Sequence, residues 1–164
     1  MSESEIELAE LLSTATARHI ERSALDLLTE LSEVHGITIS DIASALRVRV
    51  PTIRIWRQDR KTITPGDRLR LATLSAFLEI LTKAVATPVR WISEPLVDGF
   101  NVTPLDIYSP DRAAQLLALA VGNGPHTAES LLDTVDTEWR GRWKSDSEMF
   151  EALDGEYSMR PRQQ

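Results

Sequence analysis

Apolar residues return every three or four positions along almost the whole chain, and that spacing leaves little to build but helices. Ile6, Ala9 and Leu12 follow this rule, as do Ile20, Ala24, Leu27, Leu28 and Leu31. Such a period marks one buried face of a helix, whereas a half-buried strand alternates. No alternation is long enough for a sheet, and there is no internal repeat or low-complexity tract. The fold class expected is therefore all-α. Thr14-Ala15-Thr16 either hinges the first two helices or lies inside one, and Gly36 suits a helix stop. Thr38 or Ser40 is placed to cap a helix through Leu46, and Pro51 suits the first turn of a helix ending near Gln58. A long helix is predicted from Asp67 to Val85, buried through Leu69, Leu71, Leu74, Phe77, Leu78 and Leu81. A short segment follows Pro88, and residues 94–104 read as loop. Ser109-Pro110-Asp111 opens a helix to about Val121, and Thr127–Val135 forms the last regular one.

The 164 residues are 42% hydrophobic, enough for a packed core. No apolar run is long enough to span a membrane. The acidic start, Met1 to Glu5, predicts no secretory leader, and the absence of cysteine removes disulfides, thiolate metal sites and a cysteine nucleophile. A cytoplasmic address is expected.

The net charge of −7 is unevenly spread. Residues 1–46 carry nine acids and two bases, residues 47–70 eight bases and two acids, and residues 71–164 fourteen acids and eight bases. A basic island inside an acidic chain is a local footprint for a polyanion.

That island overlaps the most specific pattern in the sequence. Ile42, Ala43, Leu46, Val48, Ile53 and Trp56 match the buried positions of a helix-turn-helix. Ala43 has to be small where two helices cross, Val48 plugs the turn, and Ile53 and Trp56 anchor the second helix. The outer face of that helix is then expected to present Thr52, Arg54 and Arg57, with Arg49 ahead of it and Gln58, Arg60 and Lys61 at its far end. Arginine reads guanine in the major groove, glutamine reads adenine, and lysine neutralises phosphate. Arg47 stands in the turn where such motifs usually place glycine, which predicts an altered or longer turn. The alternative is a structural three-helix unit whose basic face meets RNA or an acidic protein.

Farther on, Trp91-Ile92, Pro95, Leu96, Gly99, Pro104-Leu105-Asp106-Ile107 and the helix Pro110–Val121 stand in the order of a family signature. On these residues, about 17–122 of the chain resembles the Xre-type antitoxins of the MbcA/ParS/Xre group. The gap from Gly99 to Pro104 is longer than usual there, Ser109-Pro110 replaces the family's glycine, and residues 123–164 have no counterpart. The resemblance implies a DNA-binding antitoxin that represses its own operon and neutralises a cognate toxin, commonly a RES-domain enzyme that consumes NAD. The competing reading is a stand-alone, phage-type repressor whose second domain dimerises.

Trp91 is expected mainly in the core, Phe100 either as an exposed anchor or folded back, and Trp139-Arg140-Gly141-Arg142-Trp143 either as a toxin contact or as a staple onto its own domain. The candidate partner residues are thus Trp91, Phe100, Trp139, Arg140, Arg142 and Trp143. A first helix with Ile6, Leu8, Leu11 and Leu12 on more than one side points to a homodimer, and two-fold dimers are the usual way to read paired half-sites of duplex operator DNA. His19, His35 and His126 are isolated, and no glycine-rich phosphate loop occurs, so neither a metal, a cofactor nor an enzyme activity is expected. The domains expected are 1–66 for DNA binding and 67–136 for the helical partner-binding unit, with 137–164 as a tail of undetermined order.

Overall fold

The computed structural model describes residues 2–58, 63–145, 147–151 and 157–161. Ten α-helices occur among them, numbered α1 to α10 in chain order. The fold class is all-α, as the apolar spacing predicts, and every named element up to residue 142 is a helix.

Helix α5, Pro65–Ala84, is the centre of the molecule. Thr64 caps it by accepting a hydrogen bond from the Asp67 amide at 3.1 Å, and Pro65 sits in its first turn, where no amide is needed. Residues 71–78 are buried without a break. A helix buried on every side is an inner helix, and α1 (Glu3–His19), α2 (Ala24–Thr29), α3 (Ile39–Leu46), α6 (Pro88–Ser93) and α8 (Ala113–Val121) all pack on it. Leu69, expected in the buried stripe, is instead 48% exposed.

Helix α1 runs unbroken from Glu3 to His19. The Thr-Ala-Thr stretch lies inside it: Ala15 is buried and the Thr16 hydroxyl donates to the Leu12 carbonyl at 2.7 Å. α1 lies along both α5 and α8, Ala113–Val121. One apolar cluster consequently runs from Leu12 through α5 to Trp139 and crosses the boundary expected at residues 66 and 67. Arg68 adds a polar tie, donating to the carbonyls of Ile20 at 3.0 Å and Arg22 at 2.8 Å.

Helix α2, Ala24–Thr29, passes into a π-helical turn at Glu30–Val34, and Gly36, at φ +74°, ends it. α3, Ile39–Leu46, is capped by Thr38, and α4 spans Val50–Gln58. α6, Pro88–Ser93, and α7, Pro104–Ile107, flank the loop of the family-like signature, and a reciprocal pair of hydrogen bonds between Thr103 and Asp106 starts α7. Ser109 makes no side-chain cap; a single 3-10 turn, Pro110–Arg112, leads into α8 instead. α9, Ala128–Val135, opens on a capping box from Thr127, and α10 is the single turn Trp139–Arg142. Beyond it, in the tail whose order the sequence leaves undetermined, strands β1, Ser147–Glu151, and β2, Tyr157–Pro161, pair antiparallel with Met149 opposite Met159.

Candidate nucleic-acid interface

α3 and α4 meet through the side chains that the pattern selects. Ile42, Ala43, Leu46, Ile53 and Trp56 are all buried, and Val48 packs half-buried against the same cluster. The turn closes through two hydrogen bonds, from the Val48 amide to the Ala43 carbonyl at 3.0 Å and from the Arg47 amide to the Ser44 carbonyl at 3.3 Å. This requires a left-handed residue, and Arg47 supplies it at φ +57°, ψ +41°. It is the only residue other than glycine with positive φ among the described residues. The arginine therefore leaves the turn unaltered and takes the conformation that glycine adopts at no steric cost.

The exposed arc of α4 is not quite the one expected. Successive residues advance by about 100° around a helix of 3.6 residues per turn. Ile53 and Trp56 set the buried side, so Pro51, Arg54, Ile55 and Gln58 form the outer arc, and all four are exposed. Thr52 and Arg57 flank the buried side and are half-buried. Arg57 is engaged: its Nη2 donates to Ser32 Oγ at 3.0 Å, and its Nε is buried without a partner. It ties α4 to the turn after α2, which corrects the expectation that it stands free for a groove. Arg70 also turns inward, to the Leu46 carbonyl at 3.4 Å and to Asp67 at 3.8 Å. Arg47, Arg49 and Arg54 are exposed and form no ion pair among the described residues. Arg60 and Lys61 lie outside the described residues. Among the described residues the basic island thus has three free cations on the α3–α4 surface and three, Arg57, Arg68 and Arg70, that hold helices together. The sequence reading missed Pro51 and Ile55, although the helical angle measured from Ile53 and Trp56 marks both.

The aromatic candidates have different surroundings. Trp139 is 1% exposed; its ring meets Phe100 edge-on at 4.8 Å, and its indole N–H donates to Asp133 Oδ1 at 2.8 Å. Arg140 stacks on that indole at 4.4 Å and pairs with Asp133 at 3.0 Å, while Arg142 pairs with Asp136 at 2.5 Å. The Trp139 N–H, joined by Arg140, holds the Asp133 carboxyl below the usual range, and Arg142 does the same for Asp136. Backbone hydrogen bonds from Asn101 to Trp143 at 2.7 Å and from Ser145 to Gly99 at 3.0 Å tie residues 143–145 across the signature loop. Trp91, Phe100 and Trp143 are half-buried against the core. Of the two readings open for Phe100 and the Trp139–Trp143 segment, the folded-back staple is the one observed.

α1 leaves Ile6 and Leu11 exposed at 45% and 56%, whereas Leu12 is buried inside the fold. Leu11, Ala15 and Ile80 floor a groove of about 690 Å³ between α1 and α5, edged by Glu7, Glu10, Arg18 and Lys83. Arg18 spans its wall to Glu79 at 2.8 Å and holds that carboxyl below its ordinary value.

His19 is buried between Arg22 and Glu79, His35 faces Thr82, and His126 faces Ser130. Among the described residues no cluster of three acidic or histidine side chains is arranged to hold a metal, and no helix is long and apolar enough to cross a membrane.

Comparison of the chain with models of known families, with curated proteins and with solved structures returned no match.

Proposed function

We propose that this chain is a DNA-binding antitoxin, which represses its own operon through α3 and α4 and neutralises a cognate toxin through its C-terminal half. The observation that carries the DNA half is the outer face of α4. Arg54 and Gln58, with Arg49 ahead of the helix, are exposed and free on a helix whose opposite side is locked by Ile53 and Trp56. Positioned donors of this kind on a rigid helix suit the base edges of a major groove. The operator is duplex DNA read by a cytoplasmic homodimer, with Ile6 and Leu11 of α1 on the contact between copies. The toxin half rests on the Trp91–Ile107 resemblance, which points to a RES-domain enzyme.

The DNA half is tested by gel shifts across fragments from around the gene. The parent is expected to select one fragment, and the double substitution Arg49→Ala, Arg54→Ala to weaken it by roughly 10–100-fold at constant salt. Equal affinity of the variant for that fragment removes the α4 assignment.

A second reading, the stand-alone repressor, is favoured by one observation: Phe100, Trp139 and Arg140 are satisfied inside the chain, so they offer a toxin little free surface. Expressing the neighbouring gene with and without this chain separates the two. Growth arrest relieved by this chain supports the antitoxin; a neighbour harmless alone supports the repressor.

A further inference from the structure

The outer face of α4 carries an apolar side chain to which the reading above gives no role. Ile55 is 49% exposed, although its neighbours in the same turn, Ile53 and Trp56, are 0% and 2% exposed. Exposed isoleucines and leucines are common on protein surfaces and need no explanation singly. This one has a distinctive setting. It stands on an arc with Pro51, Arg54 and Gln58, and the helix Val50–Gln58 contains no acidic residue. Arg54 beside it and Arg49 ahead of the helix have no ion-pair partner among the described residues. A methyl-bearing side chain framed by free cations and a glutamine amide suits a polyanion that displays both hydrogen-bonding edges and methyl groups. The major groove of DNA is such a surface: each thymine projects its C5-methyl there, beside the acceptors that arginine and glutamine address. RNA lacks that methyl, and its deep, narrow major groove closes to side chains.

We infer that Ile55 is a specificity-determining residue that packs against the C5-methyl of a thymine in the operator. This inference rests on the assignment of α4 to the major groove. The side chains divide the work by chemistry. Arg54 and Gln58 address base edges by hydrogen bonding, Arg49 holds the backbone phosphates, and Ile55 excludes any base without a methyl at its position. Pro51, one turn before Ile55, adds a second apolar surface and no amide donor, so this side of the arc is apolar, whereas the Arg54 side is polar.

The full chain is first used to select its preferred duplex from a random pool. Each thymine of that duplex is then replaced in turn by uracil, which removes the methyl and leaves base pairing intact. Affinities are measured by fluorescence anisotropy for the parent, Ile55→Val and Ile55→Ala. The parent is expected to lose about fourfold in affinity at one thymine per half-site, the effect of one buried methyl group. Ile55→Ala should lose that dependence while keeping its response to every other thymine, with Ile55→Val between the two. Alanine favours helix, so the variant keeps α4 intact. If no thymine shows a methyl effect in the parent, or if Ile55→Ala retains it, the inference is overturned while DNA reading by α4 stands. If the parent selects no sequence at all, the DNA assignment itself fails, and the inference with it.

Discussion

The outer face of α4 and the Phe100–Trp139 segment both have the composition of a binding surface, arginine with large apolar side chains, yet they are chemically opposite. On α4, Arg54, Ile55 and Gln58 face solvent, and the arginine is free of acids. In the other region, Asp133 takes up both the Trp139 indole and the Arg140 guanidinium, Asp136 takes up Arg142, and Phe100 covers the indole ring. Tryptophan and arginine recur at interfaces because they bury much area and make several polar contacts, and the same properties make them good internal staples. What separates the uses is the supply of partners within the chain. Acids lie within reach at positions 133 and 136, whereas α4 itself has none.

The largest expected effect breaks or keeps the staple. Trp139→Ala should destabilise the chain by about 3–5 kcal/mol in urea unfolding, as for other buried indoles. A loss near zero would return the segment to the list of free surfaces. Arg57→Ala should cost about 1.5–3 kcal/mol, since it removes a charged hydrogen bond to Ser32 between α4 and the turn after α2. Arg54→Ala, three residues away, should leave the unfolding midpoint within error and change only DNA affinity. If both substitutions shift stability alike, the division of the basic island into free and engaged arginines is wrong. Arg47→Gly should raise stability by about 0.5–1 kcal/mol, because glycine relieves the left-handed strain at φ +57°. A destabilised variant would show that the Arg47 side chain does more than fill the turn. The smallest effect concerns pH. The Asp133 carboxyl lies below its ordinary value, so its contribution is fully present above the unfolded value of about 3.9 and is lost as pH falls through the folded value. Thermal melts from pH 6 downward should therefore fall more steeply for the parent than for Asp133→Asn; parallel curves would mean that the Asp133 contacts add nothing.

The helices were legible because their cause is local. The Thr64-Pro65 start of α5, the 3.6 period and the buried set of α3 and α4 can all be read within a few residues. The turn was not: an arginine in the glycine position suggests an altered or longer turn, whereas Arg47 adopts the glycine conformation itself. The fates of Arg57, Arg68 and Trp139 were not legible, because each depends on groups distant in sequence or outside its own helix. Arg68 reaches carbonyls 46 and 48 residues away, Arg57 a hydroxyl 25 away, and Phe100 meets Trp139 across three intervening α-helices. Periodicity says which face turns inward but not which polar tip meets a partner there. The misplacement of Thr52 and Ile55 has another origin. Both lie outside the Ile53–Trp56 stripe, and only the angle around the helix shows that Thr52 adjoins it and Ile55 does not. The β1–β2 pair is two short strands with no long alternation of polar and apolar residues, so pattern reading had nothing to detect.

Because residues 71–78 of α5 are buried on every side by both halves of the molecule, their amides can reach solvent deuterium only when those halves come apart together. The slowest-exchanging amides should therefore form a single class on α5, whose rate reports the whole fold. Operator DNA bound at α4 and any protein bound near α8 would each slow that class through the native state they stabilise, without touching the helix that reports them.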